Sequence, residues 1–526
     1  MRRSADLQTE RTGESTWWRD AVFYQVYIRS FADGNADGTG DLDGVRSRLG
    51  YLELLGVETI WLTPFYPSPM AAMGYDITDP RGVDPLFGDL NAFDRLIEEA
   101  GAHHIRVGID LVPNHTSTQH PWFGAALAAG PGSPQRHRYV FRDGRGYDGA
   151  EPPNNWPCVQ GGPAWSRVVD GQWYLHLVSA DQPDLNWTNQ DVAVDFERTL
   201  RFWLDRGVAG VRINLAQGMA KPTALPDMDP RLAHRPSALD PRFDNDGVHD
   251  VHRMIRRVLA EYPGRVAIGE ITVADDQRFA RYLRADELHM GFDTRLVDVE
   301  FDADLVRTAI DRSLASVASV AAPASWALSD HDVVRHVSRY GDGVLGTRRA
   351  RAMALVQFAL PGGVFLYNGE ELGLPDLELP DWALRDPVWE RSGHTDRGRD
   401  GCRVPLPWEG AAPPYGFTGN QDSWLPTPFE WADMTVEAQI EDPDSMLSLY
   451  RHGIELRQTH PAFSGDELEW YGAPPACFAF RRKGGGLICA LNTSGALVPL
   501  PNGEILLSSA PLVDNQLPPD TSVLMV

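Results

Sequence analysis

The amino-acid sequence predicts an α/β fold: a (β/α)8 barrel with an inserted domain after strand 3 and a C-terminal antiparallel β domain. Short apolar runs alternate with amphipathic stretches whose apolar residues recur at three and four positions, as in helices that cover a sheet. Eight such alternations imply parallel strands, and eight is the number that closes a barrel. The alternative, an open doubly wound sheet, needs a Gly-rich phosphate loop after the first strand, and the sequence has none.

The individual elements follow from the same patterns. Strands are predicted at residues 21–31, 57–66, 106–115, 208–214, 265–271, 290–297, 325–332 and 363–367, and helices at 42–55, 91–104, 199–206, 250–262, 303–319 and 347–360. A Gly-, Pro-, Trp- and Asn-rich stretch after strand 3 is too long for a structureless loop, and the end of the chain is alternating and turn-rich. The predicted divisions are therefore 1–116 and 185–463 for the barrel, 117–184 for the insert and 464–526 for the β domain.

The composition excludes several classes of partner. The chain has 526 residues, with 48 Lys and Arg against 73 Asp and Glu, and a net charge of −25. Non-specific binding to nucleic acid or to an anionic membrane requires clustered basic residues, so a neutral ligand is the simplest partner. The four cysteines form no CxxC pair, which argues against a disulfide framework or a zinc site. Residues 1–15 lack the apolar segment of a secretory signal, and no apolar run approaches 18 residues, so we expect a cytoplasmic protein.

Polar and charged groups stand at the ends of the predicted strands, where barrel enzymes carry their chemistry. One such group alone is a weak signal, because a strand-end Asp is often a turn cap. Together, and in this order, they are a strong one. The groups are Gly74-Tyr75-Asp76, Asp110-Leu-Val-Pro-Asn114-His115, Gly210-Val-Arg212-Ile-Asn214, Ile268-Gly-Glu270 and Ser329-Asp330-His331-Asp332.

This set closely resembles the α-amylase family, glycoside hydrolase family 13, and looks most like its bacterial α-glucosidase and oligo-1,6-glucosidase branch. The resemblance extends over nearly the whole chain and includes residues 24–31, 182–187, 368–372 and 399–403. It implies a retaining mechanism on α-glucosidic bonds, in a pocket that binds one terminal glucose. Such a mechanism needs two carboxyl groups about 5–5.5 Å apart, one as nucleophile and one as acid/base.

The resemblance also implies roles for individual residues. Glu270 matches the acid/base, Asp332 the transition-state stabiliser, and Arg212 the arginine that orients the nucleophile. The remaining matches are to the glucose-binding pocket. They are His115 and His331, which would hydrogen-bond the sugar, Tyr75 and Asp76 at its floor, and Arg403.

The nucleophile position departs from the family pattern, because it holds Asn214 instead of Asp. An amide is neutral and a poor nucleophile, so it forms no glycosyl ester and offsets no positive charge in the transition state. We therefore expect ordinary hydrolysis to be strongly impaired. Two more departures lie nearby: Gln217 stands where this branch usually has His, and Asp330 replaces an Asn.

Three interpretations of Asn214 remain open. One is an engineered substrate trap, although a trap needs no change at Gln217 or Asp330. The second is a carbohydrate-binding protein without catalysis, although such a protein would not need Glu270. The third is glycosyl transfer or other altered chemistry in the same pocket. Asp330 is not expected to replace the missing charge, since side chains alternate along a strand and it would point away from the pocket if His331 lines it.

A loop after the first strand alternates oxygen-bearing side chains with glycines, as compact Ca²⁺ sites do. In the oligo-1,6-glucosidase branch this loop binds calcium or magnesium, so the resemblance implies a structural Ca²⁺ or Mg²⁺ here, and no organic cofactor. The alternative is a metal-free loop of Asx turns. The predicted ligands are Asp33, Asn35, Asp37, Thr39 and Asp41.

Substrate linkage and oligomeric state do not follow from the sequence. The residue after the nucleophile position helps to separate α-1,6 from α-1,4 preference in this branch. Here it is Leu215, which matches neither the residue typical of one preference nor that typical of the other. The stretch 69–73 lacks the polar residues that this branch places beside the glucose. We hypothesise that this apolar stretch fits a less polar aglycone or a sugar that lacks a hydroxyl group.

Overall fold

The computed structural model describes residues 16–232 and 237–526, so the expectation about residues 1–15 lies outside the described residues. Within those ranges, no helix combines the length and the apolar character needed to cross a membrane. The strands, numbered in chain order, are β1 Val22–Val26, β2 Thr59–Leu62, β3 Arg106–Leu111, β4 Phe141–Asp143, β5 Trp165–Arg167, β6 Gln172–Leu175, β7 Gly210–Ile213, β8 Val266–Glu270, β9 Met290–Phe292, β10 Ser325–Ala327, β11 Gly363–Tyr367, β12 Leu468–Tyr471, β13 Cys477–Arg482, β14 Ile488–Asn492, β15 Val498–Pro499, β16 Ile505–Ser508, β17 Gln516–Leu517 and β18 Thr521–Met525.

Eight parallel strands form a nearly closed barrel in the order β10-β11-β1-β2-β3-β7-β8-β9, which confirms the predicted fold class. The two edge strands approach each other through Ser325, whose hydroxyl donates to Gly291 O at 2.5 Å and accepts from Asp293 N at 3.0 Å. Strands β1, β2, β7 and β11 are buried along their whole length, as parallel strands covered by helices must be. Aromatic rings pack between the strands, with Phe23 stacked on Phe365 at 4.6 Å.

Helices cover the barrel, and several differ in extent from the predictions. The first predicted strand ends early because the chain turns into a short helix at Ile28. The helix predicted from residue 199 begins at Gln190, where the side chain of Asn189 accepts a hydrogen bond from Asp191 N and caps it. The helices are Ile28–Phe31, Leu42–Ser47, Leu49–Leu55, Leu90–Ala102, Pro121–Ala129, Gln190–Asp205, Val248–Leu259, Asp276–Arg281, Ala303–Ala318, His336–Arg339, Gly343–Ala359, Pro387–Arg391, Val436–Gln439 and Met446–Thr459.

Three antiparallel sheets lie outside the barrel in the described ranges, and the smallest pairs β15 with β17. Strands β4, β6 and β5 form a three-stranded sheet within the predicted insert. The loop after β7 is tied to this segment by Lys221, whose ammonium group lies 2.8 Å from Asp184 Oδ2 and is almost fully buried. Strands β12-β13-β14-β18-β16 form the predicted C-terminal antiparallel sheet, which is thereby confirmed, while the domain boundaries stay predictions.

Two adjacent carboxyl groups are buried where β11 ends. Glu370 accepts hydrogen bonds from Tyr450 OH at 3.1 Å and Tyr367 N at 3.3 Å, and burial raises its pKa to about 8. Glu371 accepts from Tyr24 OH and Tyr51 OH, both at 2.7 Å, and burial raises its pKa as well. Glu370 is thus held protonated near neutral pH in the folded chain.

We expect the free energy of unfolding to fall as pH rises from about 4.5 to about 8, because folded Glu370 holds a proton that the unfolded chain releases. Glu370→Gln should remove this component. It should raise the free energy of unfolding by about 4 kcal/mol at pH 8 and change it little at pH 4.5. Urea unfolding at both pH values measures this. The exposed Glu98→Gln is the control, and an equal effect of Glu370→Gln at both pH values would contradict the prediction.

Candidate active site

The carboxyl ends of the barrel strands open into a pocket of about 360 Å³. Asn214 directly follows β7, Glu270 ends β8, and Asp332 lies on the loop after β10. The structure therefore brings together residues that the sequence places on different strands. Of the predicted site residues, those that line this pocket are Tyr75, His115, Asn214, Glu270, Asp332 and Arg403.

Asn214 and Glu270 are in direct contact. Asn214 Nδ2 donates to Glu270 Oε2 at 2.7 Å, much closer than the separation of about 5–5.5 Å between the two carboxyl groups of a retaining glycosidase. Leu215 N, at 3.2 Å, donates to the same oxygen, and Leu215 has a left-handed backbone with φ 49°. Among the described residues, Oε1 of Glu270 has no hydrogen-bond partner, and the side chain is 28% exposed to the pocket. One carboxylate oxygen is held and the other is available to a ligand.

Arg212 contacts Glu270 and a second carboxyl group, Asp110, which is buried and was given no role from the sequence. Its Nη2 lies 2.9 Å from Glu270 Oε2, its Nη1 donates to Asp110 Oδ2 at 3.1 Å, and its guanidinium stacks on Trp61. Asp110 also accepts from Trp61 Nε1 and Tyr75 OH, and burial raises its pKa to about 6. Arg212 was predicted to orient the residue at position 214. In the structure, Arg212 donates a hydrogen bond to Asp110 and forms an ion pair with Glu270.

Asp332 is held by two arginines. Arg399 Nη1 and Arg403 Nη2 both donate to its Oδ1, at 2.8 and 2.7 Å. Burial would raise the pKa of Asp332, but the nearby cations outweigh it and hold the pKa below its usual range. Arg403 was predicted from the sequence as a pocket residue, whereas Arg399 was not. Their shared segment, Arg399-Asp-Gly-Cys-Arg403, was the available signal.

The two histidines are buried and held by glutamine side chains. His115 Nε2 lies 2.9 Å from Gln182 Nε2, and His331 Nδ1 lies 2.7 Å from Gln25 Nε2. Burial lowers the pKa of His115 to about 4 and of His331 to about 3, so both rings are neutral near pH 7. Tyr75 OH contacts His331 Nε2 at 3.0 Å and extends this network to the pocket.

Three residues lie behind the pocket instead of lining it. Asp76 was expected at the floor of the glucose pocket, but it is fully buried. Its carboxylate accepts hydrogen bonds from Ser68 Oγ and from the backbone N–H groups of residues 71 and 72. Gln217 is buried, and no described group pairs with its Oε1. Asp330 Oδ1 accepts a hydrogen bond from Asp332 N at 2.7 Å, and burial together with the charge of Asp332 raises the pKa of Asp330 above its usual range.

The loop predicted to bind a metal ion is folded into successive Asx turns. Asp33 accepts from the backbone N–H groups of residues 35, 36 and 38, and Asp37 accepts from Thr39 N. Asp41 caps the helix Leu42–Ser47 through Gly44 N, and burial raises its pKa to about 6. Across the described residues, no group of three His, Cys, Asp or Glu side chains is placed to hold a metal ion. The ion stays a prediction, as do the residue roles and the cytoplasmic location.

Comparison with known proteins extends these observations. A family model described as the α-amylase catalytic domain matches residues 25–466. A probable alpha-glucosidase of Rhizobium meliloti is 37% identical over 91% of this chain and 89% of its own length, and an oligo-1,6-glucosidase of Heyndrickxia coagulans is 33% identical over 86% and 87%. The crystal structure of an alpha-glucosyl transfer enzyme matches with a TM-score of 0.87 and 36% identity, over 97% of this chain and 99% of that one. The chain therefore belongs to the α-amylase family, glycoside hydrolase family 13, and is a glycoside-hydrolase-type enzyme.

Proposed function

We propose that this enzyme acts on α-linked glucosides or oligosaccharides in the pocket described above, and that ordinary hydrolysis is strongly impaired. The observation that carries this proposal is the 2.7 Å contact between Asn214 Nδ2 and Glu270 Oε2. An amide hydrogen-bonded to the acid/base stands where a retaining glycosidase needs a carboxylate nucleophile. Loss of a group of this kind costs several orders of magnitude in rate in other enzymes.

The rest of the pocket supports a reaction at a sugar rather than binding alone. Oε1 of Glu270 faces no hydrogen-bond partner among the described residues, so in the protonated form of Glu270 this oxygen can carry the proton that a general acid gives to a leaving group. Asp332 is held ionised between Arg399 and Arg403, where it stabilises positive charge that develops on a sugar ring. A pure binding site has no need of either arrangement.

Glycosyl transfer in the same pocket is the second candidate. It is favoured by the name of the alpha-glucosyl transfer enzyme that shares the fold over nearly the whole chain. The pocket lining also favours an aglycone or acceptor with an apolar part, because six of its side chains are apolar and one of them, Val159, is 59% exposed. These side chains are Ala72, Met73, Val159, Val178, Leu215 and Val388.

Three proteins test the proposal: the unmodified chain, Asn214→Asp and Glu270→Gln, assayed on aryl α-glucosides and maltose. Recovery of hydrolysis in Asn214→Asp supports an otherwise intact glycosidase pocket. Turnover of a donor and acceptor by the unmodified chain, lost in Glu270→Gln, supports transfer. Equal sugar binding by all three proteins without turnover would contradict both candidates. Intact mass must accompany the assays, because deamidation of Asn214 recreates Asp.

We also propose a structural Ca²⁺ or Mg²⁺ in the loop of residues 33–41, supported by its side-chain oxygens. Purified protein should then contain about one equivalent of metal, and chelation should lower Tm by about 3 °C or more. Elemental analysis and thermal unfolding with and without chelator measure this. Asp37→Asn should abolish the shift, whereas Asp286→Asn, an exposed control, should retain it. Metal-free protein with an unchanged Tm would contradict the proposal.

A further inference from the structure

We propose that Arg391 is a specificity-determining residue: its guanidinium closes one side of the pocket entrance and limits the size of the aglycone that the pocket accepts. This proposal rests on the proposed function, because it needs an α-glucoside in the pocket. It adds the class of glucoside that the entrance admits. Disaccharides and aryl glucosides enter, whereas longer oligosaccharides are disfavoured.

Arg391 joins three chain segments that line the pocket. It ends the short helix Pro387–Arg391. Its Nη2 donates to Asp181 Oδ2 at 2.8 Å and to Ala71 O at 2.9 Å, and its Nη1 donates to Gln160 Oε1. Asp181 and Gln160 belong to the inserted segment, and Ala71 belongs to the loop after β2. One guanidinium therefore closes the gap among all three segments.

The helix that carries Arg391 is fixed at its start and depends on Arg391 at its end. At the start, the buried carboxylate of Asp386 accepts hydrogen bonds from Val388 N at 3.1 Å and from Arg399 Nε at 2.7 Å. The five helix residues are themselves exposed or half-buried, so packing adds little to hold the other end. The contacts of Arg391 therefore set where that end lies.

The joint made by Arg391 is weaker than the joint between the inserted segment and the loop after β7. The side chains of Arg391 and Asp181 are 27% and 44% exposed. Those of Lys221 and Asp184, in the other joint, are 6% and 0% exposed. Exposed ion pairs contribute little to stability, whereas a buried pair is costly to break. The entrance therefore opens more easily at Arg391 than at Lys221.

The closed entrance separates small from large aglycones. A glucoside whose aglycone fits inside the pocket of about 360 Å³ binds without disturbing Arg391. A longer oligosaccharide binds only to molecules in which the contacts of Arg391 are broken, so its apparent affinity falls with the fraction of open molecules. Removal of the guanidinium abolishes this difference and leaves the binding of small glucosides unchanged.

The test measures the affinity of the full chain for maltose and for maltohexaose by isothermal titration calorimetry, with and without Arg391→Ala. The substitution should tighten maltohexaose binding by about fivefold or more and change maltose binding by less than about twofold, because only the larger sugar needs the open entrance. Arg138→Ala is the matched control and should leave both affinities unchanged. Arg138 forms a similarly exposed ion pair with Asp191 at 3.0 Å, which also ties the inserted segment to a barrel helix.

Asp181→Asn should shift the preference in the same direction by a smaller factor, because Arg391 keeps its contacts with Ala71 and Gln160. An unchanged ratio of the two affinities in folded Arg391→Ala overturns the inference and leaves the proposed function standing. An equal loss of affinity for both sugars also overturns it, because Arg391 would then hold the sugar itself. If neither sugar binds to the unmodified chain or to Arg391→Ala, the proposed function fails, and this inference fails with it.

Discussion

Asn214→Asp is expected to raise kcat for hydrolysis of α-glucosides by about 10³-fold or more, because it restores the carboxylate that forms the glycosyl ester. In this variant the new carboxylate would lie next to Glu270 Oε2, in the place of Asn214 Nδ2, which is now 2.7 Å from that oxygen. Repulsion between the two groups favours a proton on Glu270, the form that a general acid needs. The rate should then follow a bell-shaped pH profile.

Steady-state kinetics on maltose and aryl α-glucosides measure the effect. Asn214→Ala is the control, since it removes the same hydrogen bond to Glu270 without adding a nucleophile. Comparable gains in Asp and Ala variants would show that release of Glu270, and not the new carboxylate, sets the rate. No gain in Asn214→Asp, with Tm and sugar binding preserved, would contradict the proposed role of position 214.

Glu270→Gln is expected to lower kcat/KM by about 10²–10⁴-fold on substrates with poor leaving groups, because their aglycone oxygen must be protonated as it departs. Substrates with acidic phenol leaving groups should lose far less. The substitution is best measured in the Asn214→Asp background, where hydrolysis is fast enough to follow. A rate loss that does not depend on the leaving group would argue against an acid role.

Sugar binding separates a chemical effect of Glu270→Gln from a structural one. The amide oxygen of Gln can accept the hydrogen bonds that Asn214 and Leu215 now donate to Oε2, and it can stay close to Arg212 Nη2. Affinity for glucose and the unfolding temperature should therefore change little. A large loss of affinity would indicate that Glu270 mainly shapes the pocket.

The strand ends were predictable because buried parallel strands have continuous apolar runs, and polar residues that interrupt such a run stand out. Asn214, Glu270 and Asp332 could be placed at one end of the barrel for that reason. The contact between Asn214 and Glu270 could not be predicted. It depends on the side-chain geometry of adjacent strands and on the left-handed backbone at Leu215.

Other parts of the site depend on contacts across long sequence separations. Arg399 reaches Asp332 from the segment after the helix Pro387–Arg391, and no local pattern shows which carboxylate it pairs with. Asp76 has a strand-end position but turns its carboxylate to the backbone of its own loop. The type and position of a residue in the sequence suggest that it belongs to the site. Whether its side chain reaches the pocket depends on the other hydrogen-bond partners within its reach.

The buried contact between Lys221 and Asp184 joins two walls of the pocket into one rigid piece. Lys221 lies on the loop that begins with Asn214, and it also donates to Asn114 Oδ1 at 2.8 Å, beside His115. Asp184 lies next to Gln182, which holds His115. The pocket floor and the inserted segment must therefore shift together if either shifts. The opposite wall, residues 387–399, is also tied to the inserted segment, because Arg391 Nη2 donates to Asp181 Oδ2 at 2.8 Å. A shift of this wall therefore strains a contact with the inserted segment as well.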